Sequence, residues 1–94
     1  MRGLKRVEII ANHSVEQDVM DILEKKRLAS HFTKIPSVHG RGDADPKQGD
    51  HIWPEENFIL IIYCDDNQAS VIEMAIEEVR GSFPDEGIRC FVTG

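Results

Sequence analysis

The feature that most constrains the fold of this chain is an uninterrupted apolar run at Phe58–Cys64, with the sequence Phe-Ile-Leu-Ile-Ile-Tyr-Cys. A run of this length and composition is typical of a central β-strand that is buried on both faces. Such a strand needs a neighbouring strand at each edge and further elements that cover it. The rest of the chain must therefore supply a sheet and a covering layer.

Three other segments are predicted to be strands. Leu4–Ala11 and Ile88–Thr93 alternate their side chains with a period of two, which indicates strands whose two faces lie in different environments. His31–Ile35 is a shorter candidate. Pro36 follows it, and because proline cannot donate to a ladder, we expect this strand to end there or to lie at a sheet edge.

Two segments are predicted to be helices. Ser14 is expected to begin the first, because Ser14–Gln17 has the form of a capping box. The first helix carries an apolar stripe at Val15, Val19, Ile22 and Leu23. Asp65–Gln68 can cap the second. Its apolar stripe consists of Ile72, Ala75, Ile76, Val79 and Phe83.

The order of these elements is β-α-β-β-α-β, which predicts an α+β fold of the ferredoxin-like sandwich type. In this fold two helices cover one face of a four-stranded antiparallel sheet, and the first and third strands lie at its centre. A chain of 94 residues suffices for one hydrophobic core, so residues 1–94 are expected to form a single domain.

One face of this sheet has no helix to cover it. Ile10, Phe91 and alternate side chains of Phe58–Cys64 are expected on that face. An uncovered apolar face predicts an oligomer, whereas apolar residues that are exposed singly would need no partner.

Charge and composition limit the classes of partner. The chain has 17 acidic and 11 basic residues and a net charge of −6, which argues against nucleic acid as a partner because the field repels phosphate backbones. No apolar stretch approaches the length of a membrane span, and no signal-peptide pattern follows the basic start, so we expect a cytoplasmic protein without membrane insertion. Cys64 and Cys90 are expected to be buried, reduced thiols.

A long segment at about residues 38–56, rich in glycine and other turn-forming residues, is the main candidate for a functional site. Gly40 and Gly42 flank Arg41, and Lys47 follows, so backbone N–H groups and two positive charges could bind a phosphate. The alternative is a loop of unrestrained glycines and solvated charges.

The same segment contains potential metal ligands. His39 and His51 are the candidate ligands for a divalent metal such as zinc, copper or nickel, and a polar exposed loop is the alternative. The neighbouring carboxylates are Asp43, Asp45 and Asp50.

Trp53, which is followed by Pro54, could anchor the segment or stack on a ligand. For catalysis, the sequence has no nucleophile elbow, zincin motif or P-loop. We therefore predict that the protein is not an enzyme.

Gly40-Arg41-Gly42 and the stretch from Lys47 to His51 resemble a rearranged form of the Gly-Arg-x-Lys-Gly-His sequence in the loop of nitrogen-regulatory PII proteins. The element order and the long loop are also similar to those of the PII and CutA-like superfamily. This resemblance implies a compact homotrimer whose sheets face inward, with small ligands such as adenine nucleotides in clefts between subunits. Segment 80–87 differs from the family, since it lacks the usual glycine and basic pattern of nucleotide contacts.

Three functions are consistent with the sequence. The first is a PII-like regulatory module that senses a small ligand and signals to a partner protein through residues 38–56. Its predicted ligand-binding residues are Gly40, Arg41, Gly42, Lys47 and Trp53. The second is a CutA-like protein that binds a divalent metal. The third is an interaction module that uses the same segment as a protein-binding arm.

Overall fold

The structure, a computed structural model, describes residues 3–40 and 55–94. These ranges form four strands, two α-helices and one 3₁₀ turn, in the order predicted from the sequence. The elements are β1 (Lys5–Asn12), a 3₁₀ turn (His13–Val15), α1 (Glu16–Lys25), β2 (Thr33–Gly40), β3 (Glu55–Cys64), α2 (Asp66–Ser82) and β4 (Ile88–Thr93).

The four strands form one antiparallel sheet in the order β2-β3-β1-β4. Strands β1 and β3 lie at the centre, as predicted for the first and third strands. Their register places Val7 opposite Ile62 and Ile9 opposite Leu60, so the buried side chains of both strands form one layer. The structure confirms the α+β, ferredoxin-like arrangement of a four-stranded antiparallel sheet and two helices.

The core lies between this layer and the two helices. Both predicted helical stripes contribute to it, because Val19 and Leu23 of α1 and Ile72 and Ile76 of α2 are buried against the sheet. Full burial of each large aliphatic side chain contributes about 1.5–3 kcal/mol. The fully buried large side chains are Phe58, Ile9, Leu60, Ile62, Ile72, Ile76, Val7, Val15 and Val19.

The second strand is longer than the sequence predicted. It continues through Pro36 as far as Gly40, and its register with β3 shifts between Ile35 and Val38. Proline has no backbone N–H to donate to a neighbouring strand. An edge strand tolerates proline at a register shift, because the regular ladder of hydrogen bonds is already interrupted there. The predicted bounds of this strand, His31–Ile35, are therefore wrong, whereas the alternative that it lies at a sheet edge is confirmed.

The predicted loop at residues 38–56 is correspondingly too long. Residues 38–40 belong to β2, and residues 55–56 belong to β3. Residues 41–54 lie outside the described part of the chain.

The N-terminus of α1 also differs from the prediction. Ser14 does not begin the helix with a capping box, because it lies within the preceding 3₁₀ turn. The side chain of Asn12 caps this turn instead and accepts the Ser14 N–H at 2.9 Å. The predicted cap of α2 is confirmed, since the Asp65 carboxylate accepts the Gln68 N–H at 2.7 Å.

Apolar side chains remain on the sheet face opposite the helices. Tyr63 is 58% exposed and Phe91 is 48% exposed, while Ile10, Ile59 and Ile61 are half-buried. We call the surface formed by these residues and Ile35 the open sheet face. Its apolar character agrees with the sequence-based expectation.

The two cysteines are free, with Cys64 buried and Cys90 half-buried. Burial raises the pKa of the Cys90 thiol to about 11, which favours its protonated form at neutral pH. In the part of the chain that the structure describes, no helix is both long and apolar enough to cross a membrane.

Candidate functional site

A groove of about 960 Å³ lies where β2 ends, β3 begins and α2 connects to β4. Its apolar lining includes Ile59 and Phe91 of the open sheet face and Phe83 at the end of α2. Its polar lining includes His39 and Asn57. This volume and this mixture of apolar surface with a few polar groups are typical of a site for a small organic ligand.

Gly40 has a steric role in the groove wall. A β-carbon at this position would approach the Asn57 amide nitrogen to 2.7 Å, which is shorter than side chains tolerate. Asn57 is itself only 8% exposed, so its side chain is largely packed against other protein atoms. The absence of a side chain at Gly40 therefore allows the end of β2 to pack closely on Asn57.

The opposite wall is the connection between α2 and β4, residues 83–87, and backbone hydrogen bonds hold it in place. The Glu86 N–H donates to the Phe83 carbonyl at 3.1 Å, and the Asn12 N–H donates to the Gly87 carbonyl at 2.9 Å. The Ser14 hydroxyl also donates to the Glu86 carboxylate at 2.7 Å. The turn after β1 thus fixes both the backbone and one side chain of this wall.

The described groove lining contains three acidic and two basic side chains. The acidic residues are Glu77, Asp85 and Glu86, and the basic residues are Arg80 and Arg89. Arg80 forms an ion pair with Glu77 one helical turn earlier, so much of its charge is already balanced. Asp85 and Glu86 lie in the wall formed by residues 83–87, and Arg89 follows in β4.

A second charged cluster lies beside the same turn. Glu16 accepts a hydrogen bond from Lys34 of β2 and is 2.7 Å from Nδ1 of His13. The hydrogen bond from Lys34 lowers the pKa of the Glu16 carboxyl below its usual range, and the hydrogen bond with His13 lowers it further. The centre of the His13 ring lies 6.1 Å from the centre of the Phe58 ring. The Lys34 ammonium nitrogen lies 5.9 Å from the centre of the Phe58 ring.

Sequence reasoning missed Glu16, Lys34 and Glu86. The spacing of His13 and Glu16 was a usable signal, because residues three apart can meet when the chain turns helically. Nothing in the sequence indicated the contact between Ser14 and Glu86, which are 72 positions apart.

The structure brings together two of the predicted site residues, His39 and Gly40, in the lining of the groove. The other predicted site residues lie outside the described part of the chain: Arg41, Gly42, Lys47, His51 and Trp53. Among residues 3–40 and 55–94, no group of three or more histidine, cysteine or acidic side chains is arranged to hold a metal ion.

No protein-family model matches this chain, and no curated protein matches it. Solved structures do match. The CPII protein of Thiomonas intermedia K12, bound to ADP and bicarbonate, has a TM-score of 0.69 and 18% identity, over 96% of this chain and 83% of that chain. Another CPII structure holds ADP, AMP and bicarbonate.

Two further structures extend this similarity. A DUF3240 family protein from Shewanella baltica OS155 has a TM-score of 0.73 and 16% identity, over 100% of this chain and 91% of that chain. A candidate PII-like signaling protein from Thermus thermophilus has a TM-score of 0.65 and 20% identity, over 96% of this chain and 84% of that chain. The chain therefore has the fold of the PII-like proteins, as the resemblance in its sequence implied.

Proposed function

We propose that this protein is a PII-like regulatory module that binds an adenine nucleotide in the groove and signals to a partner protein through the segment that follows Gly40. The groove supports this proposal because its lining includes His39 and Gly40, which lead directly into that segment. A ligand in the groove would therefore contact the base of the proposed signalling arm. Nucleotide-bound CPII structures with a similar fold support the choice of an adenine nucleotide as the ligand class.

The groove offers separate surfaces for the two halves of a nucleotide. Phe83 and Phe91 provide aromatic surface for a base, since rings stack well on flat apolar groups. Arg41 and Lys47 would supply positive charge to the phosphates, and Gly40 and Gly42 would allow close approach of the backbone. Trp53 is the further stacking residue in this proposal.

The proposal includes a homotrimer with the open sheet faces directed inward. Tyr63 and Phe91 are about half exposed or more, and they lie with Ile35 on one surface that the helices do not cover. Exposed apolar side chains grouped on one surface and accompanied by polar residues mark an interface in many proteins. Cyclic assembly would cover the surface of each copy in the same way.

The proposed activity is binding without a catalytic step, in the cytoplasm. Its ligands are small molecules and its macromolecular partner is a protein. This assignment agrees with the net charge of −6, which disfavours nucleic acid.

Isothermal calorimetry with AMP, ADP and ATP tests the nucleotide site. Replacing both Arg41 and Lys47 by Ala should weaken nucleotide binding about ten- to a hundredfold, provided each forms a charge-assisted hydrogen bond. The matched control replaces Lys25 and Arg27, two exposed basic residues of α1 and its C-terminal turn, and should leave affinity unchanged. Nucleotide binding that is indifferent to the Arg41/Lys47 substitution would contradict the assignment of these residues.

A CutA-like metal-binding function is the second candidate, because His39 lines the groove and pairs in register with Glu56 on β3. An imidazole beside a carboxylate is a ligand combination suited to zinc, copper or nickel. Titration with these ions should then depend on His39 and His51 and be indifferent to Arg41 and Lys47. Binding of neither nucleotide nor metal would favour the interaction module without a ligand.

A further inference from the structure

We infer that a cleft between α1 and α2 is a docking site for a basic segment of a partner protein, with an arginine side chain of that segment seated in the cleft. We call this feature the interhelical cleft. Its floor consists of Ile22, Val79 and Phe83, and its rim carries Asp18 and Asp21. The inference goes beyond the proposed function and does not depend on whether a nucleotide binds in the groove.

The floor of the interhelical cleft is apolar and small. Val79 is buried there, and Ile22 and Phe83 are half-buried. The cleft has a volume of about 300 Å³, which is at the lower end of the range for sites of small organic ligands. One long side chain fits such a volume better than a whole cofactor does. Arginine and lysine are suitable, because each has an apolar stem that can lie along an apolar surface.

The rim of the interhelical cleft is acidic. Asp18 and Asp21 are three positions apart on α1, so their side chains lie on the same side of the helix. Within residues 3–40 and 55–94, neither aspartate forms an ion pair. Asp21 instead accepts a hydrogen bond from the Gln17 amide at 2.7 Å, which restrains its carboxylate without neutralising it.

The end of α2 adds to this negative potential. Its last turn reaches the interhelical cleft, since Val79 and Ser82 belong to the lining. The C-terminus of a helix carries the negative end of the helix dipole. Arg80, the basic residue of that turn, is already paired with Glu77. The aspartates of α1 and the carbonyl end of α2 therefore attract a cation to the same place.

Two other charged side chains line the interhelical cleft. Glu78 is paired with Lys26, whose ammonium lies 3.7 Å from its carboxylate. Lys25 is the one basic side chain of the described lining, and it follows Asp21 by one helical turn. Because the charge of Lys25 repels a cationic ligand, a basic partner should bind more tightly once this charge is removed.

An organic cation suits the interhelical cleft better than a metal ion does. Among the described residues, no three histidine, cysteine or acidic side chains are arranged to hold a metal. The apolar floor offers no ligand to a metal ion, whereas it can cover the stem of an arginine. The guanidinium group also has several donors in a planar fork, which can bind two carboxylate oxygens at once. The net charge of −6 favours the approach of a basic segment.

Fluorescence anisotropy with a labelled synthetic peptide tests this inference. The probe has the sequence Leu-Arg-Ala-Leu-Arg-Ala-Leu, and its matched control has citrulline, which is uncharged and nearly equal in shape, in place of arginine. The arginine peptide should bind the unmodified protein more tightly than the citrulline peptide. Its affinity should fall about four- to twentyfold in Asp18→Asn/Asp21→Asn, and should rise by up to about fivefold in Lys25→Gln.

The control variant is Glu24→Gln/Glu73→Gln, which removes the same number of charges from exposed positions of α1 and α2 outside the lining of the interhelical cleft. It should leave the affinity for the arginine peptide as in the unmodified protein. An equal loss in both double variants would mean that only net charge matters, and would overturn the inference. Equal binding of the arginine and citrulline peptides, or binding of neither, would also overturn it.

The basic residues of this chain's own segment, Arg41 and Lys47, are the competing occupant of the interhelical cleft. The variant Arg41→Ala/Lys47→Ala distinguishes the two cases in the same assay. We expect its affinity for the arginine peptide to stay close to that of the unmodified protein. A rise of about tenfold would mean that the chain itself fills the cleft, and the partner would then be the wrong occupant.

Discussion

The Lys34 ammonium group contacts the Glu16 carboxylate, and this contact joins the inner face of edge strand β2 to the first residue of α1. Lys34 pairs with Leu60 of β3, on the face of the sheet that the helices cover. At this position β2 thus carries a charged residue instead of an apolar one. An inward-pointing charge protects an edge strand from pairing with other chains, provided that the charge has a partner within the fold. Glu16 is that partner.

Replacing Lys34 by Met should therefore destabilise the fold. The ammonium and carboxylate side chains are 30% and 26% exposed, so solvent screens the pair only in part. We expect the free energy of unfolding to fall by about 1 kcal/mol, which corresponds to a decrease in Tm of about 4–8 °C. Urea denaturation measures the change, and Lys25→Met, at an exposed position of α1, is the control that should change stability little.

The contribution of Glu16 should depend on pH in a defined direction. Its pKa is lowered in the folded protein from an ordinary value of 4.5, mainly by the hydrogen bond from Lys34. A carboxylate with a depressed pKa stabilises the fold above the unfolded-state pKa, and this stabilisation is lost as the pH falls through the folded-state pKa. The unmodified protein and Lys34→Met should thus differ most in their free energy of unfolding at about pH 6. This difference should shrink as the pH falls below the ordinary pKa of 4.5. A difference that grows on acidification would contradict this linkage.

Gly40 and Gly81 form a matched pair for substitution by alanine. At Gly40 the new methyl group would lie 2.7 Å from the Asn57 amide, and we expect a loss of about 1–3 kcal/mol because the tightly packed wall must shift. At Gly81, in the last turn of α2, no atom outside the adjoining residues and the neighbouring helix backbone lies within 4 Å of the added carbon. Alanine there should stabilise the protein by up to about 1 kcal/mol. Thermal unfolding of both variants checks the prediction, and equal Tm values would show that Gly40 is not sterically required.

Local patterns predicted the number and order of the strands and helices correctly, although the bounds of β2 and the start of α1 differ from the prediction. Phe58–Cys64 lies between two strands, as its apolar run indicated, yet Tyr63 at its end is 58% exposed. A run of apolar residues indicates the central position of a strand but does not show whether a second layer covers it. The prediction that one face of the sheet lacks a covering layer therefore came from the topology of the fold and not from the apolar run.

Local signals failed where long-range contacts decided the outcome. Pro36 did not end β2, because a register shift accommodates it at the sheet edge. Ser14 does not cap α1, because Asn12 caps the preceding turn and the Ser14 hydroxyl bonds to Glu86 instead. Of the predicted site residues, His39 and Gly40 line the groove. The sequence did not indicate the wall formed by residues 83–87, since no local pattern connects Glu86 with Ser14.

The last prediction concerns the open sheet face. Replacing Phe91 by Lys should dissociate the proposed homotrimer, because each copy would bring an ammonium group that has to be desolvated into the interface in place of an aromatic ring. The isolated fold should tolerate this change, since Phe91 is 48% exposed.

Light scattering at micromolar concentration should then give about three times 10.7 kDa for the unmodified protein and about 10.7 kDa for Phe91→Lys. Met74→Lys is the control, because Met74 is an apolar side chain of α2 that is 72% exposed on the helical layer, away from the open sheet face. It should leave the mass of the assembly unchanged, and circular dichroism should show both variants folded. A monomeric mass for the unmodified protein would contradict the trimer, and dissociation by Met74→Lys but not by Phe91→Lys would place the interface on the helices instead of the sheet.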